Sequence, residues 1–127
     1  EIPLEVSDVR IMSLHKSKGL SSPIVIIAGC IEGLMSIQPD SDLTQNEKRA
    51  IIEEQRRLFF VGVTRVKSNL ALNKPGTLYL TSSRYWPQAD ALGSGVKPAI
   101  IRHGLAQFNA SRFLSELGPS APAPESA

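Results

Sequence analysis

Hydrophobic and polar positions follow different periodicities in successive segments of the chain. Residues 9–14, V-R-I-M-S-L, alternate loosely between apolar and polar, which is typical of a β-strand. Residues 24–28, I-V-I-I-A, are wholly apolar, largely β-branched and bounded by Pro23 and Gly29. Such a run predicts a strand that is buried on both faces, as in a parallel or mixed sheet covered by helices.

The longest predicted element is a helix that begins after Thr44 and runs to about Lys67. Residues 44–47, T-Q-N-E, fit a capping box, in which the threonine hydroxyl and the glutamate carboxylate each accept a backbone N–H. At about 100° per residue, one face of this helix is apolar and the other is charged. The predicted buried face holds Ile51, Gln55, Leu58, Phe59, Gly62 and Val66, and the opposite face holds Arg49, Glu53, Arg56 and Arg57. The spacing predicts an i,i+4 ion pair between Glu53 and Arg57.

The remaining segments carry weaker patterns. Residues 69–72 and 77–80 flank a K-P-G turn and predict a β-hairpin. Residues 36–43 predict a loop, and residues 85–107 a loop or insertion, because Pro, Gly and small residues are scattered through the first part of this stretch. Residues 111–117 predict a short helix at most. The low-complexity segment 118–127 predicts a disordered tail.

Composition is that of a folded protein of about one domain. The chain has 127 residues, of which 42% are hydrophobic and 20% are charged, as in ordinary globular domains. No apolar run approaches the roughly 20 residues that span a bilayer, and no signal peptide is evident, so we expect no membrane partner. With Cys30 as the single cysteine, we expect a reducing, cytoplasmic setting. Because the first residue is Glu1, we also expect a piece of a longer protein.

Charge is unevenly distributed along the chain. The formal net charge is +2, whereas residues 10–67 hold nine bases and six acids. This excess permits a phosphate-bearing partner without requiring one.

Few residue patterns indicate catalysis. A phosphate-binding loop of the form G-x-x-x-x-G-K-[S/T] is absent. His15 and His103 are the two histidines, and neither has a carboxylate at metal-ligand spacing or belongs to a credible Ser–His–Asp set. We therefore predict no metal site, and we do not expect a self-sufficient enzyme.

Residues 13–20, S-L-H-K-S-K-G-L, form the first segment with concentrated chemistry. They follow the first predicted strand, and ligands of open α/β sheets gather at the carboxyl ends of strands. A hydroxyl, an imidazole, two ammonium groups and a glycine that lets backbone approach would suit a phosphodiester backbone. The alternative is a solvated basic turn, which is a common feature of protein surfaces.

The second such segment is residues 54–65 of the predicted helix. Glu54, Arg56 and Arg57 are typical of a solvated surface with ion pairs. Arg65 lies about 20° from Leu58 on a helical wheel, at the edge of the apolar stripe. It must therefore extend along the stripe, pair with a buried acid or reach a ligand in a cleft. Phe60 falls near the polar side, which indicates a helix that is contacted on two sides.

These segments resemble motifs of a known family. Residues 9–20, V-R-I-M-S-L-H-K-S-K-G-L, resemble motif V of the UvrD/Rep/PcrA family of superfamily I DNA helicases. Residues 53–65, E-E-Q-R-R-L-F-F-V-G-V-T-R, resemble motif VI, and residues 109–117, N-A-S-R-F-L-S-E-L, resemble a segment near the end of that family's second RecA-like domain. The resemblance covers residues 6–72 and 109–117. It departs at Ser21-Ser22, where family members carry Glu-Phe, and that Glu is associated with the nucleotide sugar.

The resemblance implies an α/β fold over residues 1–117, as part of a RecA-like domain of the P-loop NTPase type with a mixed or parallel sheet flanked by helices. It implies the C-terminal part of an ATP-dependent, 3′-to-5′ DNA helicase or translocase that works on single-stranded DNA. An N-terminal RecA-like domain of the same protein would hold most of the ATP and the Mg²⁺ ligands. This chain alone is then expected to be inactive as an ATPase.

Residue roles implied by the resemblance fall into three groups. Arg65 would be the catalytic arginine finger and would bind ATP together with Arg57 and Gly19. The single-stranded DNA contacts would be Ser13, His15, Lys16 and Lys18, and the residues that couple the two sites would be Glu54, Arg57 and Thr64.

Two alternatives from other classes stay open at this point. One is a non-catalytic nucleic-acid-binding or protein-binding module that derives from the helicase fold, which the Ser21-Ser22 departure favours. The other is a structural α/β domain in which the basic turn and Arg65 are incidental.

Overall fold

A computed structural model of the chain describes residues 9–68 and 71–126. A 3₁₀ helix at His15–Ser17 is followed by β1 (Ile24–Ile27), α1 (Gln45–Val63), β2 (Thr77–Leu80), β3 (Tyr85–Pro87), α2 (Gln88–Ser94), β4 (Ile100–Arg102), β5 (Leu105–Gln107) and α3 (Arg112–Ser115). Strands β1 and β2 form a parallel pair, and β3-β5-β4 form a second, antiparallel sheet. The predicted α/β class is therefore confirmed. Within the described ranges, no helix is long and apolar enough to cross a membrane.

Two units make up this fold, and each has its own core. The parallel unit consists of the 3₁₀ helix, β1, α1, β2 and α3, and the antiparallel unit consists of residues 85–108. The core of the parallel unit is Ile27, Cys30, Phe59 and Phe113. The core of the antiparallel unit is Ala91, Val96, Ala106 and Phe108 together with Ile31 from the segment after β1, and Trp86 packs against it.

Strand β1 forms almost where the apolar run predicts it, but its predicted burial is wrong. It pairs in parallel with β2, with Ile24 opposite Thr77 and Ile27 opposite Leu80. Ile27 is buried, whereas Ile24 and Ile26 are 59% and 64% exposed. Helix α1 covers only one face of this pair, so side chains that alternate to the other face remain in solvent.

The strand predicted at residues 9–14 is wrong, and the hairpin predicted around residues 73–76 is tested only in part. Residues 9–14 form no strand, and Val9 and Ile11 are almost fully exposed, because no strand lies beside them in the described part of the chain. Residues 71–73 form a turn, and residues 69 and 70 lie outside the described residues. Strand β2 forms as predicted and pairs in parallel with β1, whereas the predicted hairpin rests partly on residues outside the described ranges and stays a prediction. Residues 37–43, in the predicted loop, hold no helix or strand.

Helix α1 begins with the predicted capping box. The Thr44 N–H donates to Glu47 Oε2 at 2.7 Å, and the Glu47 N–H donates to Thr44 Oγ1 at 3.3 Å. These bonds from Thr44 lower the pKa of the Glu47 carboxyl. The helix ends at Val63 rather than near Lys67, because the chain leaves helical geometry at Thr64.

Charged residues on α1 pair differently from the prediction. Arg56 pairs with Glu53, and Arg57 pairs with Glu54, so both pairs span i,i+3 and the predicted Glu53–Arg57 pair is wrong. Arg56 also donates two bonds to Glu116 beyond α3, at 2.6 and 2.9 Å, and its guanidinium lies 5.7 Å from the ring centre of Phe113. These bonds to Glu116 and Glu53 raise the pKa of Arg56. Arg56 is thus a packing residue rather than part of a solvated face.

The loop predicted at residues 85–107 is wrong. Its three strands are only three residues long, and a helix of seven residues interrupts them, so no segment is long enough to show a periodicity. Whether the unit is an insertion stays a prediction. The predicted short helix is confirmed as α3, where Ser111 Oγ accepts the Phe113 N–H at 3.3 Å. Residues 118–126 hold no helix or strand, and their disorder stays a prediction.

Candidate nucleotide and nucleic-acid site

The basic segment 13–20 folds into a tight turn with its cations in solvent. Its 3₁₀ geometry is closed by bonds from the Lys16 N–H to the Ser13 carbonyl at 3.1 Å and from Ser17 Oγ to the Leu14 carbonyl at 2.6 Å. Side chains of His15, Lys16 and Lys18 are exposed. Because the local hydrogen bonds are made within the turn, these side chains are available to an anionic partner.

Gly19 ends this turn in a conformation that favours glycine. Its φ angle is +84°, and no atom lies within 4 Å of the position that a Cβ would take. A side chain here would be strained by the backbone angle rather than by crowding. The open space above Gly19 is compatible with the predicted close approach of a ligand to the backbone.

Gly62 is the residue of α1 against which Leu14 of the basic turn packs. A Cβ at Gly62 would lie 2.5 Å from Leu14 Cδ2 and 3.0 Å from Ile27 Cδ1. The absence of a side chain at residue 62 therefore lets Leu14 and Ile27 pack directly against α1, and a larger residue there would require these two side chains to move. This contact fixes the position of the turn relative to the C-terminal end of the helix.

Arg65 lies just beyond that helix end and is half-buried. Its Nε donates to the Val61 carbonyl at 2.9 Å, its Nη2 to Thr64 Oγ1 at 3.0 Å and its Nη1 to the Leu20 carbonyl at 3.4 Å. A cation at this position also interacts favourably with the carbonyl end of the helix dipole. The guanidinium therefore bridges the end of α1 and the end of the basic turn.

Backbone bonds join the same two segments. The Ser22 N–H donates to the Arg65 carbonyl at 3.0 Å, and the Lys67 N–H donates to the Ser22 carbonyl at 2.9 Å. Ser22 and Val66 thus form a parallel bridge. The departure at Ser21-Ser22 falls directly beside Arg65.

A shallow groove continues from this junction along α1. It is lined by Arg56, Arg57, Phe60, Val61 and Thr64. Phe60 packs edge-on against Phe59, with ring centres 5.6 Å apart, so it contacts the core on one side and lines the groove on the other. This two-sided position agrees with the contact predicted for Phe60.

The predicted coupling residues lie on the same stretch. Arg57 Nη1 is 2.6 Å from Glu54 Oε2, and both side chains are at least 70% exposed. Glu54 is thereby engaged by Arg57, while Arg65 contacts carbonyl and hydroxyl oxygens instead. The structure brings Arg65, Thr64 and the Leu20 carbonyl together and places Arg57 in the adjoining groove.

Sequence reasoning missed a second cluster, the pair Glu32 and Arg112. Arg112 Nε and Nη2 donate to the two carboxylate oxygens of Glu32 at 3.1 and 3.0 Å, and the Arg112 N–H donates to Oε1 at 2.6 Å. Burial acts to raise the pKa of Glu32, but the bonds from Arg112 outweigh it and hold that pKa below its usual range. The residues are 80 positions apart, so no local pattern connects them.

The donor set for a metal ion is absent from this region. Across residues 9–68 and 71–126, no three His, Cys, Asp or Glu side chains cluster so as to hold a cation.

Comparison with known families identifies the chain. A profile of the UvrD-like helicase C-terminal domain matches residues 1–75, which include the basic turn, α1 and Arg65. The chain belongs to the UvrD-like helicase C-terminal domain family. The antiparallel unit lies beyond the residues that this family profile matches.

The individual relatives are named as DNA helicases. The chain is 47% identical over 62 residues to ATP-dependent DNA helicase Rep of Buchnera aphidicola, which covers 49% of this chain and 9% of that helicase. It is 42% identical over 64 residues to DNA helicase II of Escherichia coli, and this match covers 50% of this chain and 8% of that helicase. It is 36% identical over 83 residues to DNA helicase II of Haemophilus influenzae, and this match covers 64% of this chain and 11% of that helicase. The matched part of this UvrD-like chain spans about a tenth of the length of these relatives.

Proposed function

We propose that this chain is the C-terminal RecA-like portion of an ATP-dependent DNA helicase or translocase with 3′-to-5′ polarity, acting in the cytoplasm. Its family membership and its relatives named as ATP-dependent DNA helicases support this proposal. An N-terminal RecA-like domain supplies the phosphate loop and the Mg²⁺ ligands. ATP then binds between that domain and the α1 end of this chain.

The observation that carries the proposal is the position of the Arg65 guanidinium. Its Nε bond to Val61 fixes the side chain, whereas its Nη1 bond to Leu20 is long, at 3.4 Å, and its Nη2 bond is to the neighbouring Thr64 hydroxyl. A γ-phosphate oxygen can replace these two Nη partners and form stronger, charge-assisted bonds. A planar cation held in this way offsets the charge that spreads over a phosphoryl group in transfer.

Coupling between ATP and DNA follows from the junction of the two segments. Ser13, His15, Lys16 and Lys18 contact DNA phosphates without reading bases. The bridge between Ser22 and Val66 and the contact of Leu14 with Gly62 connect this turn to the helix end that carries Arg65. Movement of Arg65 toward a phosphate therefore displaces the DNA-contacting turn. The residues that couple the two sites are Arg57 and Thr64, which line the adjoining groove, and Glu54, which pairs with Arg57.

A second candidate function is a binding module without ATP turnover. Ser21-Ser22 favours it, since these residues replace the Glu-Phe expected beside Arg65 and remove the carboxylate associated with the nucleotide sugar. The two candidates differ in whether the longer protein that carries this chain hydrolyses ATP.

Replacing Arg65 tests the proposal in that longer protein. Arg65→Ala is expected to lower DNA-stimulated ATP turnover by about 10³–10⁵, as for arginine fingers of other NTPases. Arg65→Lys is not expected to restore turnover, because an ammonium lacks the planar fork. Turnover, DNA affinity and melting temperature are measured together, with the exposed Arg49→Ala as the matched control.

The outcome that contradicts the proposal is also specific. If Arg65 serves only to cap α1 through Val61, Arg65→Ala lowers the melting temperature and leaves turnover per folded molecule unchanged. Absence of ATP turnover in the unaltered longer protein would favour the binding module instead.

A further inference from the structure

Among residues 9–68 and 71–126, the antiparallel unit has one covered sheet face and one face on which nothing packs. By strand register, Trp86 and Ala106 share the inner face, where they join the core with α2. Side chains on the outer face are the alternate residues of the three strands. This outer face consists of Tyr85, Pro87, Ile100, Arg102, Leu105 and Gln107.

A concave site lies on this outer face. Its lining residues are Tyr85, Arg102, His103, Leu105 and Gln107, and its volume is about 340 Å³. That volume is at the lower end of the range for small-ligand pockets, about 300–1,000 Å³, and the site is open to solvent on one side. The Tyr85 side chain is 57% exposed, which leaves its ring available for stacking.

The hairpin between β4 and β5 places its basic residues at the rim of the site. His103 and Gly104 have φ angles of +51° and +77°, as a tight two-residue turn of the I′ type requires. Arg102 is directly opposite Leu105 across this turn. The turn therefore places an arginine and a histidine in the lining of the same site as Tyr85, with β5 between the strands that carry Tyr85 and Arg102.

Charge on this unit is complementary to a phosphodiester. None of the five lining residues is acidic. The one acid of residues 84–107, Asp90, is on α2 and therefore belongs to the layer on the inner face, whereas the cations of the same stretch are Arg84, Lys97 and Arg102. An exposed aromatic ring beside a guanidinium and an amide is the combination that binds unstacked bases and their phosphates.

We propose that the outer face of β3-β5-β4 is a second contact for single-stranded nucleic acid, in which a base stacks on Tyr85 and the adjacent phosphate binds Arg102. This proposal extends the proposed function, because it adds a contact outside the basic turn. It assigns a role to a unit that the matched family residues do not include.

Binding of fluorescein-labelled oligothymidylate by the 127-residue chain tests this assignment. Tyr85→Ala is expected to weaken binding about tenfold, as for loss of one stacked base, while Tyr85→Phe retains the ring and binds within about twofold. Arg102→Ala is expected to reduce the slope of log K against log salt by about 0.7, the value for one phosphate contact on a single strand. Oligouridylate in a parallel titration shows whether the face prefers DNA or RNA.

Lys97→Ala is the matched control. The Lys97 backbone lies against Gly33 on the inner side of the unit, away from the outer face. This variant removes one positive charge from the same unit and is expected to leave the salt slope unchanged. Circular dichroism verifies that each variant retains the helix content of the parent chain. Photo-crosslinking with bromodeoxyuridine-substituted oligothymidylate should map to Tyr85.

Each outcome separates this assignment from the proposed function. Loss of binding in Lys16→Ala/Lys18→Ala with unchanged binding in Tyr85→Ala would overturn the second contact and leave the proposed DNA track in place. Equal binding by all variants, or no binding by the parent chain, would overturn it as well. Concentration-dependent self-association that Tyr85→Ala abolishes, without any effect on nucleic acid, would assign the face to a second copy of the chain.

Discussion

The parallel and antiparallel units differ in how strongly their sequences signal them, although each unit buries some apolar residues and leaves others exposed. The parallel unit carries the family motifs and a capped helix of 19 residues, yet Ile24, Ile26 and Tyr79 on its strands are more than half exposed. The antiparallel unit carries no recognised motif, yet Ala106 and Phe108 are buried inside it. A strong motif therefore identifies a segment of the family without ensuring that every apolar strand position of that segment is buried.

The two cores meet at consecutive residues. Cys30 belongs to the core of the parallel unit and Ile31 to that of the antiparallel unit, and both are fully buried. Backbone hydrogen bonds connect Cys30 to the residue after β2 and to the residue before α3. The Cys30 N–H donates to the Thr81 carbonyl, and the Ser111 N–H donates to the Cys30 carbonyl, each at 2.9 Å. We expect such a junction to make the two units unfold together.

The largest expected effect comes from Phe59→Ala, which tests that cooperation. Phe59 is fully buried and contacts the ring of Phe113, with centres 5.7 Å apart, so its loss is expected to lower the free energy of unfolding by about 3–5 kcal/mol. Urea unfolding is followed by far-ultraviolet circular dichroism, which reports mainly on α1, and by fluorescence of Trp86, the only tryptophan, which reports on the antiparallel unit.

Both probes are expected to shift together in Phe59→Ala. An unchanged Trp86 midpoint alongside a lowered dichroism midpoint would show that the units unfold separately. Leu92→Ala serves as the control, because Leu92 is 68% exposed and its truncation should change the free energy of unfolding by no more than about 0.5 kcal/mol.

An intermediate effect is expected for the Glu32–Arg112 pair. Arg112→Ala removes two side-chain bonds to a carboxylate that is itself partly buried, so we expect a loss of about 1–3 kcal/mol in urea unfolding. Arg57→Ala provides the contrast, since its pair with Glu54 is exposed and should contribute less than about 1 kcal/mol. Equal losses in the two variants would mean that burial does not distinguish these ion pairs.

The smallest expected effect is a pH dependence from Glu32 and Glu116. Bonds from Arg56 lower the pKa of Glu116, and bonds from Arg112 outweigh burial to lower that of Glu32, in each case from the ordinary value of 4.5. A carboxyl with a lowered folded pKa contributes stability above its unfolded pKa and loses it as the pH falls through the folded pKa. The melting temperature should therefore decrease as the pH is lowered below about 4.5. This decrease should be less steep in the double variant Glu32→Gln/Glu116→Gln. Parallel curves for parent and variant would contradict this origin.

Local chemistry in the sequence was sufficient for several features. The capping box at Thr44, helix α1, strand β1 and the short helix α3 depend on neighbouring residues, so pattern and propensity predict them. The turn at His15 and the segment that ends at Arg65 could likewise be found from residue types at fixed spacing, and the family match includes both. The roles assigned to those site residues stay predictions.

Contacts between distant residues were decided only by the tertiary structure. The parallel pairing of β1 with β2, the clamp of Arg112 on Glu32 and the bonds of Arg56 to Glu116 all join positions far apart in the chain. Their energy depends on three-dimensional proximity, which no local periodicity encodes. For the same reason, the strands of the antiparallel unit, each only three residues long, become stable only when paired and packed around Ala106, and the sequence alone therefore resembles a loop.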